Sequence, residues 1–320
     1  MSRRCLTISL IGAVLLATAG CINVAPLVAG QMQEVVVRES PRWFEPNKVA
    51  IVDVEGFIGG GGSWLMPGTS VADVKEKLTR AADDTSVRAI VLRVNTPGGE
   101  ATASDTIYHE VIRFREQTGR PVVAALRSMA TSGGYYAALA ADRIVAEPTT
   151  VTGSVGVSMH YVNMEGLLGK IGLKAEPIES GAMKDIGSPT RAMTPEERQV
   201  LQGVINALFE RFIGLVRERR PTMTEANLKA IADGRVVTAQ QALDLHLVDE
   251  IGYLDDALDQ AYKLAGIQHA DVIIYRPFPS YSANIYSSAA SEPDPIARGL
   301  GLLLPPWSGA TFLYLWTPGS

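Results

Sequence analysis

The stretch Met129–Asp142, MATSGGYYAALAAD, decides how the fold of this chain is interpreted. Through the small-residue turn Thr131–Gly134 it joins an apolar run, PVVAALRSMA (121–130), to an alanine-rich segment that is typical of a helix. The first N–H groups of a helix are unpaired and favour negative charge, and glycine lets another backbone approach closely. We therefore predict a strand-to-helix turn here, with Ser132 as a candidate nucleophile.

Strands and helices alternate outward from this turn. β-Branched alternation and continuous apolar runs predict strands at 48–59, 88–95, 121–127, 142–148, 156–162, 174–180 and 271–277. Helical spacing and capping residues predict helices at 70–82, in the segment ending at 117, and at 132–141, 165–172, 194–219, 224–234, 238–252 and 255–266. The order β-α-β-α-β-α-β is the signature of a right-handed α/β architecture with a parallel sheet, here with additional C-terminal helices.

The longest predicted helix, 194–219, carries an apolar stripe. Its start has Thr194 as N-cap, proline at the first helical position and Glu197 three residues on, which is the pattern of a capping box. The stripe recurs at helical spacing and is expected to pack against the fold or a partner subunit; its members are Val200, Val204, Leu208, Phe212 and Leu215.

Composition limits the class of protein. The 320 residues are 47% hydrophobic with 30 Gly and 18 Pro, which is typical of a globular α/β chain, and the formal net charge is −5. Since no Lys/Arg cluster stands out, nucleic acid is not an expected partner. We predict one folded domain over 47–276, after a proline-punctuated linker at 21–46.

The apolar tail, 277–320, is broken by Pro and Gly and cannot form a spanning helix. Three alternatives remain open for it. It packs on the body of the protein, it lies on a membrane, or it threads into the protein's own cleft.

The N-terminus has the character of a targeting segment. A basic start, MSRR, precedes the apolar run 5–20, which is short for a membrane span. Ala19 and Gly20 directly before Cys21 resemble a bacterial lipobox, so we expect lipidation at Cys21; an ordinary cleaved signal peptide and an uncleaved anchor are the alternatives. Each places the body in the cell envelope, outside the cytoplasm. The other cysteine, Cys5, lies in the segment to be removed, so we expect no disulfide and no cysteine nucleophile.

Acyl transfer needs a nucleophile, a base and donors for the oxyanion. The amide of Gly133, directly after Ser132, is placed to be one donor. The turn NTPGGE (95–100) is the natural place for the second, because sites in open α/β sheets gather at the carboxyl ends of strands. Each glycine loop alone is also compatible with a plain tight turn.

Two bases are open on the residues alone. His160 follows Ser132 by 28 residues, a spacing comparable to that of ClpP-type peptidases with a Ser-His-Asp triad; the other three histidines are expected to be surface or core groups. Lys184 lies in a Gly/Ser/Pro loop (179–198), where a solvated surface lysine is the ordinary interpretation. A lysine acts as a base only when desolvation makes it neutral, so Asp185 is expected to point away from the amine.

Four motifs resemble the signal peptide peptidase A family in order and approximate spacing. They are NTPGGE (95–100), MATSGGYYAALAAD (129–142), TVTGSVGV (150–157) and SGAMKDIGSPTRAMTPEER (180–198). The resemblance covers about 48–277 and is to the short, single-domain bacterial form. It implies a ClpP/crotonase-like fold and a Ser-Lys endopeptidase without cofactor or metal.

The resemblance also implies roles for individual residues. Ser132 corresponds to the nucleophile and Lys184 to the general base. Ser154 corresponds to the serine that orients the lysine amine, and Gly99 and Gly133 to the oxyanion donors. On this interpretation His160 is a neighbour of the site or a core residue.

The family further implies an assembly of several subunits, often eight, whose inward groove takes extended peptides. Cleaved signal peptides and other hydrophobic peptides are the expected substrates, with membrane association through the N-terminus. From the residues themselves, the strand end VEGFIGGGG (54–62) offers an edge for backbone pairing. The expected substrate-binding residues are Gly56, Phe57, Ile58, Gly98 and Gly134. The lipobox-like start and the apolar tail differ from family forms with a clear membrane helix.

Two further functions are compatible with the same fold. A crotonase-type acyl-CoA enzyme shares the paired glycine loops, but it needs neither Ser132 nor Lys184, and export to a compartment without CoA argues against it. A non-catalytic scaffold protein needs no dyad, whereas both dyad positions are present here.

Overall fold

The computed structural model describes residues 32–41, 47–59, 68–277 and 312–316, and a mostly parallel sheet runs through them. The strands are β1 (Met32–Arg38), β2 (Lys48–Ile58), β3 (Gly68–Thr69), β4 (Val87–Glu100), β5 (Val122–Thr131), β6 (Arg143–Ala146), β7 (Val151–Gly153), β8 (Ser158–Met159), β9 (Val236–Thr238), β10 (Glu250–Ile251), β11 (Asp271–Pro277) and β12 (Phe312–Leu315). The helices are α1 (Val71–Asp83), α2 (Ala101–Thr118), α3 (Gly133–Ala138), α4 (Glu165–Lys170), α5 (Pro195–Arg219), α6 (Glu225–Ile231), α7 (Ala239–Asp244) and α8 (Leu254–Ala265).

The central strands follow the order β1-β11-β2-β4-β5-β6-β10. Neighbours from β11 to β10 are parallel, and only β1 at the edge of this order runs antiparallel to its neighbour. The predicted α/β class with a parallel sheet and C-terminal helices is confirmed.

Helices cover both faces of the sheet, which explains the continuous apolar runs of its strands. Val49 and Ile51 of β2 point to one face, where Leu254 and Leu258 of α8 pack. The alternate residues of β2 point to the other face, against α1, α2, α3 and the second half of α5. The side-chain period of 2 along a strand produces these two cores.

The carboxyl end of the sheet is extended beyond the predicted strand limits. β4 continues through the NTPGGE turn because Phe57 and Ile58 of β2 pair with Gly98 and Gly99. β5 likewise continues to Thr131, where it pairs with Gly153 of β7. Both glycine turns therefore lie on paired strand ends, side by side.

Four predictions of secondary structure were wrong. The helix predicted at 238–252 ends at Asp244, and residues 250–251 form β10 instead. Residues 32–38, assigned to the linker, form β1, because the run EVVVR has the β-branched character that pairs with β11. Residues 174–180 form no strand; the segment is charged, contains Pro177 and is largely exposed. The strand predicted at 156–162 is reduced to the two residues of β8.

The long helix α5 has the predicted capping box, in which Thr194 accepts from the Glu197 amide and Glu197 accepts from the Thr194 amide. Its apolar stripe divides into two parts. Phe212 and Leu215 are buried in the core, whereas Val200 and Val204 near the start are 50% and 39% exposed. The second half of the helix therefore packs on its own chain, and the first half presents its apolar side chains to solvent.

Candidate active site

Ser132 occupies the single residue between β5 and α3, in a backbone conformation that side chains rarely adopt. Its φ is 53° and its ψ is −114°. Its amide donates to the Gly153 carbonyl at 2.8 Å, and its carbonyl accepts from the Tyr136 amide at 2.9 Å. Backbone strain of this kind is retained when the surroundings over-determine it, and a sharp strand-to-helix turn is a known way to present a nucleophile.

Ser154 lies beside Ser132 and shares its unusual backbone. Its φ is 52°, and its amide donates to the Arg235 carbonyl at 2.8 Å. Because Thr131 and Gly153 are partners across β5 and β7, the two serines follow paired residues. The structure thus brings together two of the predicted site residues, and both are buried. The Ser132 hydroxyl has no hydrogen-bond partner among the described residues.

The glycine turns meet next to Ser132. A Cβ atom placed on Gly133 would lie 3.3 Å from the amide nitrogen of Gly99, so these two backbone amides are close neighbours. The approach depends on Gly98, whose φ of 106° requires glycine and whose amide donates to the Thr96 hydroxyl at 3.0 Å. The amides of Gly99 and Gly133 are the donors predicted for an oxyanion.

The strand β12 crosses this site. It pairs antiparallel with β4, with Tyr314 opposite Gly99 and Leu315 opposite Gly98, and its other edge pairs with β8. The Trp316 amide donates to the Pro97 carbonyl at 2.9 Å. Hydrogen-bonded pairs alternate in an antiparallel ladder, so this register makes Tyr314 and Gly99 a hydrogen-bonded pair.

The Tyr314 carbonyl oxygen lies between the two glycine turns. It is 1.8 Å from the position of a Cβ on Gly98 and 3.1 Å from that of a Cβ on Gly133. In this ladder the Tyr314 carbonyl faces the Gly99 amide, one of the predicted oxyanion donors, which is where the carbonyl of an attacked peptide bond would lie. Residues 312–316 of the tail therefore pack on the body of the chain, between β4 and β8 and beside the glycine turns.

The Tyr314 side chain is enclosed by aromatic rings. Its ring is stacked on that of Tyr136, with centroids 5.0 Å apart, and contacts Phe212 at 4.9 Å. The phenol donates to the Leu208 carbonyl at 3.0 Å, and burial raises the pKa of Tyr314 to about 12. The sequence had indicated neither Tyr136 nor Tyr314 as a site residue; the paired tyrosines at 135–136 within the deciding stretch were the available signal.

The loop around Lys184 lies apart from this buried cluster. The Lys184 side chain is exposed and has no hydrogen bond or ion pair within the described part of the chain. Arg191 binds the carboxylate of the neighbouring Asp185, with Nε donating at 2.8 Å. Arg191 also binds Glu197, and these hydrogen bonds lower the pKa of Asp185 and hold that of Glu197 at about 2.

The remaining predicted residues are placed as follows. His160 Nε2 is 3.4 Å from the Ser158 hydroxyl, at the end of the strand that pairs with β12.

The Gly56–Ile58 edge is already paired on both sides, by β3 and by β4, so the edge that receives a strand is that of Gly98–Glu100. Gly134 packs on Thr96, where a Cβ would come within 2.5 Å of the methyl carbon. Cys21 lies outside the described residues.

Comparison with known proteins gives a family for this arrangement. The family model "Peptidase family S49" matches residues 114–268. The Synechocystis sp. protein "Putative protease slr0021" is 36% identical over 221 residues, which cover 69% of this chain and 76% of that protein. The chain belongs to peptidase family S49.

Two further similarities are more partial. The Enterococcus faecium protein "Putative signal peptide peptidase SppA" is 37% identical over 200 residues, 62% of this chain and 58% of the relative. The S49 chain thus spans less than two thirds of that relative's length. Among solved structures, a point mutant of ClpP1 from Listeria monocytogenes is 18% identical, with a TM-score of 0.41 over 67% of this chain and 95% of that one.

Within residues 32–41, 47–59, 68–277 and 312–316, no helix combines the length and apolarity that crossing a bilayer requires. In the same ranges, no cluster of three or more His, Cys, Asp or Glu side chains is arranged to hold a metal ion.

Proposed function

We propose that this S49 protein is a serine endopeptidase that uses a Ser-Lys dyad. The observation that supports the proposal is the Tyr314 carbonyl, which lies on an extended strand paired with Gly99 of β4 and next to the Gly133 turn, one residue from Ser132. An extended peptide bound in the same way presents its backbone carbonyl to the nucleophile.

The proposed reaction has the following steps. Lys184, as a neutral amine, takes the proton of the Ser132 hydroxyl, whose oxygen attacks the peptide carbonyl carbon. The Gly99 and Gly133 amides hold the oxyanion. The C–N bond breaks, the leaving amine takes the proton from the Lys184 ammonium, and water then hydrolyses the ester on Ser132. Ser154, beside Ser132, orients the lysine amine.

In this proposal, assembly of several subunits supplies the desolvation of Lys184 that the single chain does not provide. An exposed lysine in water stays charged at neutral pH, and burial is the physical means of making it neutral. The segment around Lys184 also carries large exposed apolar side chains, among them Leu167, Ile171 and Ile178 at 58%, 61% and 102% exposure. Apolar groups clustered on one surface are typical of a protein interface. We propose that a homo-oligomer, an octamer by family resemblance, covers this surface and desolvates Lys184.

The proposed substrates are extended hydrophobic peptides, such as remnant signal peptides. Pairing with β4 recognises the main chain, and the aromatic surroundings of Tyr314 are suited to apolar side chains. The proposed location is the cell envelope, with the N-terminus holding the protein at a membrane and the catalytic domain outside the cytoplasm. Remnants of membrane-inserted signals would be met there.

Cleavage of an unstructured protein tests the proposal, with wild type compared with Ser132→Ala, Lys184→Ala and His160→Ala. Lys174→Ala is the matched control, because Lys174 is an exposed lysine of the same segment, paired only with the exposed Glu176. We expect loss of activity in Ser132→Ala and Lys184→Ala alone. Activity should rise with pH as the lysine loses its proton.

Other outcomes assign the protein differently. Loss in Ser132→Ala and His160→Ala, with full activity in Lys184→Ala, would move it to the Ser-His-Asp class. No cleavage by a folded wild-type oligomer would favour the non-catalytic scaffold.

A further inference from the structure

Three buried threonines link the strand ends that carry the two glycine turns. Each is 0% exposed, and each hydroxyl donates to a backbone carbonyl of a neighbouring strand; the three are Thr96 of β4, Thr131 of β5 and Thr152 of β7. Thr96 donates to the Gly56 carbonyl of β2. Thr131 donates to the Pro97 carbonyl of β4 at 3.1 Å, and Thr152 donates to the Ala130 carbonyl of β5 at 2.6 Å. The three bonds therefore join β2, β4, β5 and β7 at the carboxyl end of the sheet.

The hydroxyls act where the backbone pairing of these strands is irregular. The β2–β4 register shifts between Glu55 and Phe57, passing over Gly56, and the β4–β5 register shifts between Val94 and Thr96. Such shifts leave backbone groups outside the ladder, and a buried polar group without a hydrogen bond is costly. Threonine combines the β-branched shape that suits a strand with a hydroxyl donor. Its hydroxyl therefore replaces backbone bonds that the irregular strands cannot make.

Thr96 makes the contacts that bear on the Gly99 amide. Its hydroxyl accepts from the Gly98 amide at 3.0 Å, and it makes a second, longer contact to the Gly98 carbonyl at 3.3 Å. The Gly98 carbonyl and the Gly99 N–H belong to one peptide unit, in which they point to opposite sides. A hydroxyl on the carbonyl side therefore directs the Gly99 N–H away from Thr96, toward the strand β12 that pairs there.

Gly98 cannot hold this peptide unit by itself. Glycine populates positive and negative φ almost equally, so its flanking peptide units rotate easily unless other groups restrain them. A larger residue is not available as the restraint, because a Cβ on Gly98 would lie 1.8 Å from the Tyr314 carbonyl oxygen and 2.9 Å from the Gly133 amide nitrogen. The restraint must come from a neighbour, and the Thr96 hydroxyl contacts both peptide units that flank Gly98.

Thr131 connects the same turn to the proposed nucleophile, because it directly precedes Ser132 and its hydroxyl binds the Pro97 carbonyl. We propose that Thr96 is a positioning residue of the enzyme. Its hydroxyl fixes the Gly98–Gly99 peptide unit so that the Gly99 N–H stays directed at the oxyanion, while Thr131 holds this turn against the serine turn. The role in catalysis rests on the proposed function, whereas the restraint on the peptide unit does not.

Isosteric substitutions separate the hydroxyl of Thr96 from the shape of the side chain. Thr96→Val keeps the shape and removes the hydroxyl, whereas Thr96→Ser keeps the hydroxyl. With a fluorogenic hydrophobic peptide, we expect Thr96→Val to lower kcat about thirtyfold and to leave KM within about twofold, because a displaced oxyanion donor acts on the transition state and not on ground-state binding. Thr96→Ser should stay within about threefold of wild type. Equal losses of kcat in the two variants would overturn the proposal.

Thr150→Val is the matched control. Thr150 is 1% exposed, and its hydroxyl is shared between the Leu126 and Arg127 carbonyls at 3.1 and 2.7 Å, so it makes the same type of bond outside the glycine turns. This variant should lose thermal stability as Thr96→Val does, with kcat within about twofold of wild type. A loss of kcat as large as that of Thr96→Val would show general loosening of the sheet and overturn the proposal.

Thr131→Val tests the same turn if Thr96→Val does not fold. It removes the bond to the Pro97 carbonyl and should lower kcat about tenfold, whereas Thr131→Ser should stay near wild type. Equal activity of the folded Thr131→Val and Thr131→Ser proteins would count against the restraint on this turn.

Hydrogen exchange and inhibitor binding separate this inference from the proposed function. Amide exchange in the segment 95–104 of the full-length protein should be about fivefold faster in Thr96→Val than in wild type or Thr96→Ser, for the loss of one neutral hydrogen bond. A hydrophobic peptide boronate forms a tetrahedral adduct with a nucleophilic serine and places an oxygen at the oxyanion donors. It should bind Thr96→Val about thirtyfold more weakly than wild type.

The combination of results assigns each failure to one of the two statements. Faster exchange in Thr96→Val, with neither cleavage nor boronate binding by wild type, supports the restraint and contradicts the peptidase. Cleavage by wild type, with unchanged exchange and unchanged kcat in a folded Thr96→Val protein, supports the peptidase and overturns the positioning role of Thr96.

Discussion

The turn at Ser132 and the loop at Lys184 differ in almost every physical respect. Ser132 is 1% exposed, and its backbone is hydrogen-bonded to the backbone of Gly153 and Tyr136. Lys184 is exposed, and its amide donates within its own turn, to the Gly181 carbonyl at 3.0 Å. The proposed nucleophile, Ser132, is positioned by strand pairing, whereas Lys184 lies in an exposed loop.

This difference indicates where the site is completed. The Ser132 turn, the Gly99 and Gly133 amides and the aromatic rings around Tyr314 lie within one chain. The proposed base lies on a surface that also exposes Ile171 and Ile178. The part of the proposed site around Ser132 is therefore formed by the fold of one chain, whereas the part around Lys184 is expected to require the assembly. Matched substitutions in the two regions test this division.

The largest difference in activity between the two regions is expected when one glycine in each is replaced by alanine. In Gly99→Ala the new Cβ would lie 1.9 Å from the Ile58 carbonyl oxygen, a contact that the paired strands cannot accept. Displacing one oxyanion donor costs about 100- to 1000-fold in kcat. In Gly181→Ala the new Cβ meets no atom within 4 Å, so kcat/KM should stay within about twofold of wild type.

Peptidase assays on both variants check this expectation, with thermal melts to confirm folding. A Gly99→Ala protein with full activity would show that this amide is not an oxyanion donor. A Gly181→Ala protein as inactive as Gly99→Ala would show that the lysine loop is as closely packed as the serine turn.

The fold was predictable where periodicity carries the signal. β2 begins at Lys48 and α5 ends at Arg219, as the sequence indicated, because buried strands and capped helices leave strong patterns. β1 was missed because the prolines around it suggested a linker, although EVVVR itself is strand-like. The segment 174–180 was wrongly assigned because apolar alternation does not reveal whether a neighbouring strand exists to pair with it.

The site was predictable where its residues are close in sequence. Ser132 and Gly133 are adjacent, and NTPGGE is one turn, so local patterns indicate both. The pocket around Tyr314 joins α3, α5 and β12, which are far apart along the chain. No local pattern in the sequence relates Tyr136, Phe212 and Tyr314, because only the folded chain brings their rings together.

Removing the strand that occupies the cleft should have an intermediate effect. Deletion of residues 312–320 vacates both the glycine amides and the aromatic pocket, for which a peptide substrate must otherwise compete with a tethered segment. We expect kcat/KM for a short peptide to rise about tenfold, with a lower thermal midpoint because Tyr314 no longer fills the core. Unchanged activity in the folded variant would show that β12 does not compete with substrate.

The smallest effect is expected from the ion pairs that shape the lysine loop. Arg191 joins Asp185, the neighbour of Lys184, to Glu197 at the start of α5. Arg191→Met should lower kcat/KM about fivefold by loosening the loop, and it should also lower the thermal midpoint, because it leaves the buried Glu197 carboxylate without its cation. Arg217→Met is the control, because Arg217 pairs with the exposed Glu225 away from the loop; it should leave activity unchanged.

The pH dependence of the thermal midpoint tests whether Arg191 holds the lysine loop through the ionised carboxylate of Glu197. The folded-state pKa of Glu197 is about 2, below its ordinary value of 4.5, with Arg191 as the largest cause. A depressed carboxylate pKa stabilises the fold fully above the unfolded value and loses this contribution as the pH falls toward the folded one. The difference in thermal midpoint between wild type and Arg191→Met should therefore be constant above about pH 5 and shrink as the pH falls below 4.5. A difference that instead grows on acidification would show that Arg191 does not stabilise the ionised form of Glu197, and the loop would then be held by other contacts.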